Sequence, residues 1–86
     1  MPELCRFYGI IIRMFWADHP PRHFHAIYGE YEALIEISTS EIIEGLLPLG
    51  ARSLVSQCIS LHRSEVFEQW ERARQSLPLQ KVEPLP

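Results

Sequence analysis

Apolar and polar positions alternate through the first part of the chain and recur at steps of three and four after residue 48. The first pattern predicts strands, the second a helix. Arg6 to Trp16 is dense in Ile, Phe and Tyr, with Gly9 as its single turn former, and reads as one strand. Alternation places Tyr8, Ile10, Ile12, Met14 and Trp16 on one face, and Phe7, Gly9, Ile11, Arg13 and Phe15 on the other. Pro20 and Pro21 make Asp18 to Arg22 a loop, because neither can donate a ladder hydrogen bond.

His23–Tyr28 and Tyr31–Ile37 read as a hairpin about Gly29-Glu30, with Gly first, as a type II′ turn needs. That turn fixes the register. Tyr28 faces Tyr31, Ala26 faces Ala33 and Phe24 faces Ile35, all on an apolar face. The other face pairs His23 with Glu36 and His25 with Leu34. A slip by one residue would scramble this partition. Ser38-Thr39-Ser40 is a turn, and Glu41–Leu46 reads as a short fourth strand. Pro48 suits the first turn of a helix. Ala51, Leu54, Val55, Cys58, Ile59, His62, Val66, Trp70 and Ala73 then form an apolar stripe, with Trp70 a core residue. A straight helix over 49–75 would run about 40 Å, so either one long helix or two shorter ones meeting near Ser60–Ser64 fits the pattern.

The expected fold is α+β. A small antiparallel sheet of three to four strands is followed by one long or two shorter C-terminal helices packed on its apolar face. Residues 1–76 read as a single domain and 77–86 as a proline-rich tail, extended or disordered. Composition agrees: 86 residues, 47% hydrophobic and 22% charged, describe one globular domain rather than a disordered chain. The longest apolar runs are too short to span a bilayer, so no membrane partner is expected. Met1-Pro2-Glu3-Leu4 lacks the basic start and apolar core of a signal peptide, so the expected location is the cytoplasm. Cys5 and Cys58 form no CxxC pair and read as free thiols, Cys58 in the core.

The net charge of −3 disfavours non-specific nucleic-acid binding but is unevenly spread. Residues 29–49 hold Glu30, Glu32, Glu36, Glu41 and Glu44 with no base, whereas the flanking segments are each slightly basic.

The chemistry concentrates in Asp18-His19-Pro20-Pro21-Arg22-His23-Phe24-His25. His23 and His25 stand two apart on a strand, so both imidazoles project from one face. One reading is a metal site. His19, His23 and His25 would ligate zinc or another divalent metal, with Glu36 or Glu32 as a carboxylate ligand or outer support. A second reading needs no cofactor. A histidine pair exchanges protons with a phosphodiester, His19 is the other proton carrier, and Arg13 or Arg22 contacts the phosphate. The third reading is structural: the histidines hydrogen-bond a tight corner, and His23–Glu36 is an ordinary cross-strand pair. Catalysis requires imidazoles converging in an open cleft. Metal binding requires ligand atoms converging about 2 Å from one point.

Phe7-Tyr8-Gly9-Ile10-Ile11-Ile12-Arg13-Met14, Asp18-His19, His23-Phe24-His25, Tyr28-Gly29-Glu30-Tyr31 and Trp70 together resemble a small bacterial family, domain of unknown function 4160. The resemblance covers nearly the whole chain. That family is expected to carry two prolines directly before His-Phe-His. Here Arg22 takes the second place and the prolines stand one step earlier, adding a positive charge. Members resemble components of toxin–antitoxin-like gene pairs. The resemblance thus implies a small cognate protein partner and a toxin role, with any inherited site on Asp18, His19, His23 and His25. The resulting expectation is the toxin-like half of a two-protein module, acting on RNA through the histidines. The alternatives are a non-enzymatic interaction module, whose acidic 29–49 segment and proline-rich tail dock a basic partner while the histidines hold the loop, and a histidine-based metal site. Whether the domain is an enzyme is left open by the sequence.

Overall fold

A computed structural model describes residues 3–16 and 18–86. Met1 and Pro2, part of the N-terminal stretch read above against a signal peptide, lie outside the described residues. Five strands form one antiparallel meander in the order β1 (Glu3–Phe7), β2 (Ile10–Arg13), β3 (His23–Tyr28), β4 (Tyr31–Glu36) and β5 (Ile42–Gly45). One helix, α1 (Leu49–Arg74), follows. The α+β class is as expected, but the sheet has five strands rather than three to four.

The extra strand comes from dividing the Arg6–Trp16 stretch. Phe7 pairs with Ile10, so Tyr8-Gly9 is a two-residue hairpin turn. Tyr8 (φ 49) and Gly9 (φ 80) both lie in the left-handed region, the requirement of a type I′ turn. Gly9 adopts this freely. The β3–β4 hairpin has the expected register throughout, from His23↔Glu36 to Tyr28↔Tyr31. Gly29 (φ 58) is the first central residue of its turn, and the expected fourth strand from EIIEGL is β5.

One face of the sheet and the inner stripe of α1 form the core. Phe7, Ile10, Ile12, Met14, Phe24, Ala26, Ala33, Ile35 and Ile37 meet Ala51, Val55, Cys58, Ile59, Val66, Trp70 and Ala73, all buried. The helix is one element bent at His62, whose backbone (φ −128, ψ 23) leaves helical geometry. A straight helix of 26 residues would run about 39 Å. The longest extent of the whole molecule is 33 Å, so the bend keeps both halves of the helix within it.

Cys5 and Cys58 are both free and buried. The fold brings them together, and the neighbouring thiol, with burial, pushes the Cys5 pKa up while its proximity draws Cys58 down.

After α1 the chain runs extended along the domain. Val82 is buried and its N–H donates to the Leu4 carbonyl (2.9 Å), along β1. Gln80 N–H donates to Oε1 of buried Gln69 (2.7 Å), and the Tyr8 hydroxyl to the Pro86 carbonyl (2.6 Å). Trp16, expected on the apolar face with Ile12 and Met14, is instead 47% exposed and donates Nε1–H to the Leu77 carbonyl. Among the described residues no helix is long and apolar enough to cross a membrane.

Candidate functional site

The outer face of the sheet carries the histidines. Alternation along β3 puts Phe24 and Ala26 in the core and His23, His25 and Ile27 on the opposite side. The Arg13↔His25 and His25↔Leu34 pairings place Arg13, His25 and Leu34 in one row across β2, β3 and β4. Strand order therefore sets Arg13 beside the histidines.

The loop between β2 and β3 supplies the remaining group. It returns Asp18 over the start of β3, where Oδ2 lies 2.9 Å from Nε2 of His23 and 3.5 Å from Nε2 of His25. Asp18 Oδ1 accepts the backbone N–H of His19 (3.0 Å). Burial pushes the Asp18 carboxyl up, but that N–H and the imidazoles of His23 and His25 outweigh it and hold the pKa below the usual carboxylate range.

Each imidazole is fixed from its other nitrogen. Nδ1 of His23 is 2.7 Å from the Pro21 carbonyl, which can only accept, so Nδ1 donates. Nδ1 of His25 is 3.1 Å from Oε2 of Glu32 and donates likewise. Glu32 reaches His25 as the diagonal neighbour across the β3–β4 ladder. The His23 ring is buried, with Trp70 at 5.2 Å between centroids on one side and His25 at 5.3 Å on another. Phe15 stands edge-on to His25 at 4.4 Å.

With both Nδ1 atoms donating, a neutral ring presents a lone pair at Nε2. Two Nε2 lone pairs and the Asp18 carboxylate then face one another, and three acceptors need shared protons or a cation between them. One ligand atom each from Asp18, His23 and His25 lies within 4.8 Å of the others. Tetrahedral bonds of about 2.0–2.1 Å space ligand atoms by about 3.3 Å; the two Asp18–imidazole distances of 2.9 and 3.5 Å lie near that spacing, and the full set, within 4.8 Å, would draw together around an ion. Donation of the second ring nitrogen to a carbonyl or carboxylate is the usual outer support of a metal-binding histidine.

The other sequence candidates lie around this trio. The His19 ring is 90% exposed, with Nδ1 3.5 Å from Asp18 Oδ1, on the far oxygen from His23 and His25. Glu36 is opposite His23 in register, but its carboxylate accepts from the Ser38 hydroxyl (2.7 Å); Glu32 takes the supporting role. Arg22 turns onto the ring of Phe67 (5.5 Å). An open cleft of about 230 Å³, lined by His19, both prolines, His23, Leu34 and Glu44, reaches the site from the β4–β5 side. Sequence reasoning missed the Pro21 carbonyl, Phe15 and Trp70 as parts of the site. The Pro-Pro pair beside His23 was the signal for the first; Trp70 stood out only in the family resemblance, and Phe15 carried no signal beyond being aromatic.

A family model described as a domain of unknown function (DUF4160) matches residues 9–71. The chain belongs to that family. The matched segment contains Arg13, Asp18, His23, His25, Glu32 and Trp70, the whole of the cluster and its supports. No curated protein and no solved structure matches this DUF4160 domain.

Proposed function

We propose that this DUF4160 domain binds one divalent transition metal, zinc or an ion of similar chemistry, through Asp18 and the Nε2 atoms of His23 and His25. The observation that carries this reading is the convergence of both Nε2 atoms on Asp18 Oδ2, while both Nδ1 atoms are held by outer acceptors. Two histidines and one carboxylate leave a coordination position open, the arrangement of catalytic rather than structural metal sites. A metal held this way lowers the pKa of bound water towards neutrality and supports hydrolysis.

The test is a titration. Metal-stripped full-length protein is titrated with zinc by calorimetry, beside Asp18→Asn and His25→Ala variants. The expected result is one zinc per chain in the wild type and binding at least roughly tenfold weaker in each variant. Wild-type protein that takes up no zinc, cobalt or iron(II) would overturn the reading.

From the resemblance read in the sequence we further propose that this domain is the toxin-like member of a two-protein bacterial module and acts on RNA in the cytoplasm. In that reading His19, with its exposed ring, is the proton carrier open to solvent, whereas His23 has both nitrogens engaged. Induced expression without the cognate partner is expected to arrest growth, and a matched His23→Ala/His25→Ala protein is expected not to. Arrest by both proteins would point instead to the interaction module and its acidic 29–49 segment. Arrest by neither would remove the toxin role in that host.

A further inference from the structure

We infer that Arg13 is the anion-binding residue of this site and that the ligand brought to the metal carries a phosphoryl group. The inference rests on the metal reading above and names what the metal acts on.

Arg13 ends β2 directly opposite His25, so the two side chains leave the same face of the sheet with Cβ atoms about 5 Å apart. Among the described residues Arg13 lacks the side-chain hydrogen bonds that four other arginines make. Arg6 is bonded to Glu3, Arg63 to the Ser38 carbonyl and Ser40 hydroxyl, Arg72 to the Pro78 carbonyl and Arg74 to Glu71. Arg13 is half-buried, and among the described residues its buried Nε has no hydrogen-bond partner. The acid beside it on β1, Glu3, already takes Arg6 at 2.9 and 3.3 Å. A buried donor on a permanent cation is unfavourable unless an acceptor reaches it. Nothing described in the fold supplies that acceptor, and a bound ligand would.

Charge and shape set the class of ligand. Asp18 and Glu32 together balance a dication, and Arg13 adds a positive charge on the β2 side of His25, with Glu44 lining the cleft on the β5 side. The guanidinium fork matches phosphate and carboxylate oxygens alike. A carboxylate can reach both only with one oxygen each, and so gives up the two-oxygen match to the fork. A phosphoryl group has enough oxygens to meet both at once, which clamps it between two positive centres. Arg22, the other sequence candidate, is committed to the Phe67 ring on the helix side of the loop.

The experiment uses full-length protein, stripped and loaded with one equivalent of zinc, and titrates inorganic phosphate, with acetate as the comparison anion. Wild type, Arg13→Met and Arg22→Met are compared, and zinc affinity is measured separately for each. Phosphate is expected to bind wild type and Arg22→Met alike and Arg13→Met at least roughly tenfold more weakly, with zinc affinity unchanged. Acetate is expected to bind weakly in all three. Arg13→Met is also expected to unfold at no lower urea concentration than wild type, because it removes an unpartnered buried donor. Unchanged phosphate binding in Arg13→Met, or equal binding of acetate, would overturn the inference while leaving the zinc site standing. If zinc does not bind but metal-free protein takes phosphate in an Arg13-dependent way, the metal reading falls and the Arg13 assignment holds. Absence of both zinc and phosphate binding would sink the two together.

Discussion

Asp18 and His23 close the proline loop on itself, with the Asp18 carboxylate 2.9 Å from Nε2 of His23 and the Pro21 carbonyl 2.7 Å from Nδ1 of the same ring. The imidazole thus has two roles that separate experimentally. It is a candidate ligand, and it is a buried plug between the loop and Trp70.

The two histidines are therefore expected to differ. His23→Ala leaves a cavity against Trp70 and frees the Pro21 carbonyl, and is expected to cost about 2–4 kcal/mol in metal-free protein. His25→Ala removes a ring with its partners nearer the surface and is expected to cost about 1–2 kcal/mol. Both lower the stabilisation by zinc, which for wild type at 100 times the dissociation constant is about 2.7 kcal/mol and is reversed by a chelator. Urea unfolding with and without zinc measures all of these. Equal costs for the two variants would count against the plug role of His23.

Glu32 touches the site only through Nδ1 of His25, and its side chain is 54% exposed. Glu32→Ala is expected to weaken zinc binding about tenfold while changing metal-free stability by less than about 1 kcal/mol. Glu36→Ala, whose carboxylate serves Ser38, is expected to leave zinc binding unchanged. Calorimetry on the pair separates outer support from mere proximity.

Gly45 ends β5 with φ +87, and a Cβ there would collide with the backbone carbonyl of Glu32. Gly45→Ala is expected to cost about 2 kcal/mol or more, since neither backbone can yield without breaking the β4–β5 ladder. Because Glu32 supports His25, zinc affinity is expected to fall as well. Chemical denaturation and zinc titration of the same variant check both effects.

The chain beyond Ser76 covers part of the core. Val82 is buried, and the Glu83 carbonyl lies 3.9 Å from Sγ of Cys58. In native protein both thiols are expected to resist an aromatic disulfide reagent that labels two equivalents after denaturation. Truncation after Leu77 is expected to lower the unfolding midpoint and speed labelling of Cys58. Unchanged labelling after truncation would show that the tail does not protect the thiol.

Local chemistry settled much of the fold in advance. Period-two alternation and Gly29 fixed the β3–β4 register residue by residue, because a slip by one residue exchanges the face of His23 and His25 with that of Phe24. The helical stripe from Ala51 to Ala73 was equally legible, as was the concentration of chemistry between Asp18 and His25. The number of strands was not. The Tyr8-Gly9 turn occupies only two residues within an unbroken aromatic and aliphatic run, and a tyrosine at positive φ leaves no mark in the sequence pattern. Nor could periodicity show that β2 lies beside β3, which is what places Arg13 against His25, or that Glu32 rather than Glu36 would serve the site. Cys5 on β1 and Cys58 on α1 meet in the core for the same reason. Alternation and turn residues act over a few neighbours, so sequence alone determines the elements and their faces. Which faces meet depends on burying all the apolar surface at once, and only the tertiary structure decides that.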